Sequence, residues 1–265
     1  MKTIIEVAVD AAQRAGVFIQ KAADDLSILN IEEKSLNDYV SEVDRGSEKI
    51  ITDAIIDAFP DHQILGEEYG IQGEQNAQWQ WVIDPLDGTT NFLRSIGHYA
   101  VSIGILENGV LQHGVVFDPV KNELFTASKG KGAFLNGVLI SVSNVDSIKG
   151  GLFATGVPFS GVNLDNIDSF TGTMTDILSC QTSGIRRLGA AALDLAYVAA
   201  GRYDGFWEAH LKIWDIAAGV LLVKEAGGAV SDFSGNESYL SNGNVAAAPL
   251  KVHDQMLSIC AKHYT

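Results

Sequence analysis

Two cysteines, Cys180 and Cys260, are all that a chain of 265 residues contains, too few for a disulfide framework or a cysteine metal cage. Prolines number only five. No Pro/Gly/Ser-rich linker, internal repeat or low-complexity tract interrupts the chain. Charged residues make up 19%, below the ~25% of an average soluble domain, so a disordered or tail-like chain is excluded. Basic residues are scarce: 18 Lys and Arg face 33 Asp and Glu, a formal net charge of −15. Direct binding to nucleic acid or anionic lipid is therefore not expected. No run of about 18 apolar residues predicts a membrane-spanning helix, and Glu6, Asp10 and Arg14 break up what a signal peptide would need. A cytoplasmic protein is expected.

Missing motifs narrow the chemistry further. The sequence has no G-x-x-x-x-G-K-[ST] phosphate loop and no G-x-S-x-G nucleophile elbow. Its six histidines show no H-x-x-x-H or H-x-H pairing, which argues against zinc. The stretch KGKGAFLNG at 129–137 departs from G-x-G-x-x-G and lies among strands, so it reads as a tight turn. Asn236-Glu237-Ser238 fits a glycosylation sequon by chance alone.

What the chain does have is 46% hydrophobic residues, enough for a large core. Its patterning predicts helices over 4–29 and 43–58, the second stopped by Pro60. A buried strand over 79–84 precedes consecutive antiparallel strands, with Asn108-Gly109 as a hairpin turn. Beyond residue 150 the rhythm becomes strand and helix alternation. Strands are expected at 151–156, 182–189, 203–208 and 245–249, and helices at 164–178, 191–201, 214–228 and the C-terminus. The expected architecture is α+β or α/β: one domain over 1–265, built from subdomains of about 1–150 and 151–265 with the site between them.

The acids are uneven: residues 1–100 hold 18 of them against 7 bases. In WVIDPLDGTTNF at 81–92, a strand delivers Asp84, Pro85 stiffens its exit, and Asp87 follows three residues later. Pro85 also frees neighbouring carbonyls from strand pairing, leaving the Leu86 carbonyl available as a ligand. The segment has two readings, carboxylates that cap a turn or a surface for cations and an anion. Glu67-Glu68 end a short apolar strand, and Asp215 opens a helix behind Trp214, either as its N-cap or as a further ligand. Two carboxylates about 4 Å apart repel by about 4 kcal/mol at an effective dielectric near 20. If Glu67, Asp84, Asp87 and Asp215 converge, they require divalent metal.

Taken together, Gly66-Glu67-Glu68, the run from Asp84 to Phe92, Ala127 to Ala133, and Trp214 to Gly219 resemble the inositol monophosphatase family of magnesium-dependent, lithium-sensitive phosphatases. The resemblance implies a layered αβαβα sandwich, assembled as a homodimer, with two or three Mg²⁺ ions for which Mn²⁺ can substitute. It assigns Glu67, Asp84 and the Leu86 carbonyl to a first metal, and Asp84, Asp87 and Asp215 to a second, with Glu67 also touching a third. Asp44 and Thr89 would join Glu67 in orienting the attacking water. Gly88 and Thr89 would offer N–H groups to the phosphate, beside Asp87 and Asp215. Gly189, Ala190, Ala191 and an ionised Glu208 would meet the hydroxyls of a small phosphorylated polyol. Ala190 departs from the family, where a hydroxyl residue is common.

The implied reaction is hydrolysis of a phosphate monoester, first of all myo-inositol 1-phosphate, which would make the chain an inositol-1-monophosphatase. Thr90-Asn91 favours this branch over phosphatases for fructose 1,6-bisphosphate, histidinol phosphate or 3′-phosphoadenosine 5′-phosphate. A rival from another class is a binding protein, since some bacterial relatives associate with RNA polymerase, and Arg186-Arg187 resembles a pair found in them.

Overall fold

The computed structural model describes residues 2–24, 31–35, 38–158 and 164–264. The first part of the chain holds helix α1 (Ile4–Ala23), strands β1 (Ile31–Ser35) and β2 (Asp38–Ser41), and helix α2 (Glu42–Ala58). Strands β3 (Gln63–Gly66), β4 (Gly70–Gly73) and β5 (Trp79–Asp87) lead to the short helix α3 (Thr89–Leu93). The meander follows as β6 (Ala100–Glu107), β7 (Val110–Asp118), β8 (Glu123–Ser128), β9 (Ala133–Leu135) and β10 (Val138–Ile140). The remaining chain supplies β11 (Leu152–Thr155), α4 (Ile167–Ser179), β12 (Gly184–Arg186), α5 (Ala191–Ala199), β13 (Gly205–Glu208) and α6 (Ile213–Glu225). It ends with β14 (Gly228–Ser231), α7 (Tyr239–Asn242), β15 (Val245–Pro249) and α8 (Leu250–His263).

These elements stack in five layers. An eight-stranded sheet of order β10-β9-β8-β7-β6-β5-β3-β4 and a five-stranded sheet of order β12-β11-β13-β15-β14 form the two β layers. Helices α1 and α2 cover the outer face of the larger sheet, α5 and α6 fill the space between the sheets, and α4 with α8 cover the smaller sheet. Each interface has its own core, the central one built on α5 and α6 with Phe125, Tyr203 and Phe206. The expected αβαβα order is therefore the order observed. Among the described residues no helix is long and apolar enough to cross a membrane.

Small residues set how closely the layers approach. A Cβ at Gly104 would stand 2.5 Å from the Ala217 Cβ, and one at Gly114 would stand 2.8 Å from the Ala218 carbonyl. Helix α6 therefore lies directly on β6 and β7, which a side chain at either glycine would prevent.

The Asn108-Gly109 hairpin has both residues in the left-handed region (φ 50° and 79°), as the type I′ turn between twisted strands requires. The 129–132 stretch is a tight turn, as expected, and the N–H groups of Gly130, Lys131 and Gly132 all donate to the Glu225 carboxylate.

Other expectations shift. The first helix ends at Ala23 instead of residue 29, and residues 25–30 lie outside those described. The strand expected over 182–189 shrinks to Gly184–Arg186, because Leu188 and Gly189 turn away to bond with Asn91. Strand β14 was not anticipated: its residues, Gly-Ala-Val-Ser, are too small and too few to show alternation.

Candidate active site

Strand β5 runs past Asp84 to Asp87, and its pairing with β6 jumps from Asp84–Ser102 to Asp87–Ala100. This is a bulge with Pro85 and Leu86 in it, where a proline without an N–H costs no ladder bond. The Pro85 carbonyl instead takes the buried Ser47 hydroxyl at 2.8 Å, and the Leu86 N–H folds back to Asp84 Oδ1 at 3.0 Å. The bulge thus puts both carboxylates at the strand end. Gly88, at φ 92°, then turns the chain into α3; a Cβ there would meet the His98 carbonyl at 3.0 Å.

Glu67 arrives from the neighbouring strand. β3 runs parallel to β5 with Gly66 opposite Ile83, and the Glu67 N–H bonds to the Ile83 carbonyl at 3.1 Å. Asp215 arrives from the other half of the chain. Ser102, which pairs with Asp84 across the ladder, donates its hydroxyl to the Trp214 carbonyl at 3.2 Å, pinning the start of α6 beside the β5 end. Asp215 is not the N-cap of α6. It is the third residue of the first turn, and its Oδ2 accepts the Lys212 N–H at 2.7 Å.

Glu67, Asp87, Gly88, Thr89, Gly189, Ala190, Ala191, Glu208 and Asp215 all line one cavity of about 390 Å³. Asp84 and Leu86 lie buried just behind it, 3% and 1% exposed. Asp44, equally buried, accepts the Thr89 hydroxyl at 2.9 Å, and the Leu86 carbonyl lies 3.1 Å from the same oxygen. The residues singled out in the sequence are thus gathered around one space.

The electrostatics of that space are those of crowded anions. Burial, with the charges of Glu67, Asp87 and Asp215, pushes the Asp84 carboxyl well above its ordinary range. Burial and Asp215 do the same to Asp87. Asp215 is pushed up to about 7, chiefly by burial and by Glu67, against the opposing Lys212 N–H bond. Such a cluster needs either protons or a cation.

Among the described residues, no three His, Cys, Asp or Glu side chains already stand as a metal cage. Asp84, Asp87 and Asp215 each turn one oxygen to a backbone N–H, at Leu86, Ala192 and Lys212. The second oxygen of each takes no hydrogen bond from the described residues, and the donor set, all carboxylate and carbonyl oxygen, suits a hard divalent cation such as Mg²⁺ or Mn²⁺ and not zinc.

Two features surround the residues expected to meet the substrate. Glu208 is pushed up to about 8 by burial and Asp215, with Arg187 and the Gly156 N–H opposing. Burial and the Asp215 charge thus favour the protonated carboxyl in the metal-free site. Ala190 is the N-cap of α5 and has no side chain to cap it; the capping acceptor is Asp87, whose Oδ2 takes the Ala192 N–H at 2.7 Å from 105 residues away. A missing hydroxyl at position 190 is thus offset by a carboxylate from the other sheet.

Sequence reasoning did not assign Thr90, Asn91, Arg94, Gly156, Arg187 or Leu211 to the cavity, although all line it. Nor did it single out Asp194, buried on α5 with one carboxyl oxygen unpartnered among the described residues and its pKa raised well above the ordinary range by burial, Glu208 and Asp87. Asp194 sits in an apolar, helix-forming run that carries no local sign of a site.

Comparisons with known proteins bear on the family and the fold. The profile of the inositol monophosphatase family matches residues 1–263. Nus factor SuhB from Pseudomonas aeruginosa is 48% identical over 265 residues, which cover 99% of this chain and 97% of that protein. The crystal structure of extragenic suppressor protein suhB from Bartonella henselae superposes with a TM-score of 0.94 at 39% identity, covering 98% of this chain and 99% of that one. The Thermotoga maritima IMPase superposes with a TM-score of 0.85 at 35% identity, covering 97% and 96%. The chain belongs to the inositol monophosphatase family.

Proposed function

We propose that this protein is a Mg²⁺-dependent phosphomonoesterase that hydrolyses a small phosphorylated polyol, with myo-inositol 1-phosphate as the first candidate, to the alcohol and inorganic phosphate. The observation that carries the reading is the convergence of Glu67, Asp84, Asp87 and Asp215, four carboxyl groups crowded at one cavity. Glu67, Asp84 and the Leu86 carbonyl would hold one ion and Asp84, Asp87 and Asp215 another, with Glu67 shared toward a third. When bound, the cations neutralise the phosphate, stabilise the leaving oxygen and lower the pKa of water.

The chain's own groups supply the rest. Asp44 accepts the Thr89 hydroxyl proton, which leaves a Thr89 lone pair to accept from the attacking water. With Glu67 this pair orients the water and receives its proton. The N–H groups of Gly88 and Thr89 at the α3 turn bind phosphate oxygens. Glu208, fixed by the Gly156 N–H, and the wall at Gly189, Ala190 and Ala191 select the polyol. Assembly as a homodimer belongs to the same proposal.

The test is phosphate release from a panel of monoesters, with Mg²⁺ or with chelator. Turnover of inositol phosphate only with Mg²⁺ is expected, and no hydrolysis of any monoester would overturn the reading. A second reading, association with the transcription machinery, is favoured by the name Nus factor borne by the Pseudomonas relative. Retention of RNA polymerase on the immobilised protein would support it, whatever the outcome of the phosphatase assay.

A further inference from the structure

Glu48 lies on α2 one turn beyond Asp44 and is wholly buried, at 0% exposure. A carboxylate in that setting must be matched by donors. Its Oε2 accepts the Glu68 N–H at 2.8 Å and its Oε1 accepts the Tyr69 N–H at 3.1 Å. Both oxygens therefore hold the two peptide groups that directly follow Glu67. Ahead of Glu67, the residue at position 66 fits the same contact. A Cβ on Gly66 would stand 2.0 Å from Glu48 Oε1, so only glycine lets the carboxylate close on the turn. Glu67's own N–H is fastened to the Ile83 carbonyl of β5, one residue before Asp84. The backbone around Glu67 is thus held from both sides, while Glu48 itself does not line the cavity.

We propose that Glu48 is a positioning residue, whose carboxylate clamps the turn after Glu67 so that the Glu67 side chain is presented to the cation site beside Asp84. The inference rests on the reading of Glu67 as a cation ligand. Its physical basis is that a flexible ligand must be held to within about 0.5 Å, and partners behind the ligands commonly change metal affinity by about 10- to 100-fold. Two charge-assisted bonds to consecutive N–H groups do this for a turn whose own ladder ends at Gly66.

Three full-length variants test it. Glu48→Gln keeps the shape but sets an NH₂ against one of the two N–H groups. Glu48→Asp withdraws the carboxylate by one methylene. Gly66→Ala leaves the charge in the chain but displaces it from the turn. Each is titrated with MnCl₂ alone by calorimetry, its Glu68 and Tyr69 amide exchange is followed by NMR, and kcat and KM are measured with inositol phosphate.

In Glu48→Gln and Gly66→Ala, exchange at Glu68 or Tyr69 is expected to quicken about tenfold. Mn²⁺ affinity is expected to fall about 10- to 100-fold, and kcat to fall more than KM changes. Glu48→Asp is expected to recover part of each loss. Faster exchange with Mn²⁺ affinity within about twofold of the parent would overturn the proposal, leaving Glu48 a fold anchor only. So would a loss confined to Glu48→Gln, which would mark an effect of charge and not of position. A parent protein that binds no Mn²⁺ defeats the cation reading and this inference with it. A parent that binds Mn²⁺ but hydrolyses no monoester defeats the phosphatase reading alone, because the Mn²⁺ and exchange measurements still decide the role of Glu48.

Discussion

The Asn91 side-chain amide donates to the Leu188 carbonyl at 2.7 Å and, with its other proton, to the His98 carbonyl at 2.8 Å. One buried amide therefore ties the α3 turn to the wall of the cavity that comes from the second half of the chain. Asn91→Ala leaves both carbonyls without a donor, at a cost of about 1–3 kcal/mol. Asn91→Asp, which sets an acceptor against acceptors, is expected to cost more. Urea unfolding measures the loss, and because the wall at 188–191 loosens, KM for a polyol phosphate should rise in parallel. Unchanged midpoints for both variants would refute the tie.

Asp84 is buried against the charges of Glu67, Asp87 and Asp215. Asp84→Asn removes a like charge and a cation ligand together. Phosphatase activity is expected to fall by at least about 100-fold, while chelator-treated protein unfolds at the same or a higher temperature, since repulsion between close carboxylates amounts to a few kcal/mol. Activity within a few-fold of the parent would sink the bridging assignment.

Glu208 separates substrate choice from chemistry. It lines the cavity seven residues before Asp215, and glutamine keeps its length but puts an NH₂ donor in place of one of its two oxygens. Loss of one hydrogen bond corresponds to about 1 kcal/mol, so Glu208→Gln should lower kcat/KM for inositol phosphate by roughly 3- to 10-fold. With p-nitrophenyl phosphate, which has no hydroxyls on its leaving group, kcat/KM should not change. Equal losses on both substrates would assign Glu208 to the cations or the fold.

His98 makes acid stability testable. Burial, aided by Lys121 and opposed by Asp118, holds its imidazole down at about 4, and its Nε2 has no hydrogen-bond partner among the described residues. The unfolded chain takes up this proton first, near pH 6.5. The contribution of the neutral ring to stability is therefore complete above pH 6.5 and is lost as pH falls toward 4, by at most about 3 kcal/mol before solvent screening. Urea midpoints of the parent and His98→Gln should converge between pH 7.5 and 4.5. Parallel profiles would show that His98 does not titrate with folding.

Much of the fold was legible because its signals are local. The apolar faces of α1 and α2, the Asn108-Gly109 turn and the strand rhythm of β6 to β8 each act within a few residues. The weak elements were those whose stability comes from neighbours: β14 exists because β15 pairs with it, and the stretch after β12 is drawn off by Asn91.

The site divides in the same way. Asp84, Pro85, Leu86, Asp87 and Gly88 make a bulged strand end and a left-handed turn from their own backbone preferences, so the sequence by itself determined that two carboxylates and this turn sit together. It also carried the family resemblance, through motifs whose order and spacing could be compared directly. Only the tertiary structure decided which distant groups meet them. The parallel register of β3 on β5 brings Glu67 to Asp84, and the Ser102–Trp214 bond, with glycines 104 and 114 under α6, brings Asp215. Asp87 becomes the cap of a helix more than a hundred residues away. The same convergence sets the charge state: Glu208 rises to about 8 because Asp215 and burial surround it, and neither cause lies in its neighbours along the chain. Desolvation and like-charge repulsion depend on distance in space, and that distance is a property of the packed layers.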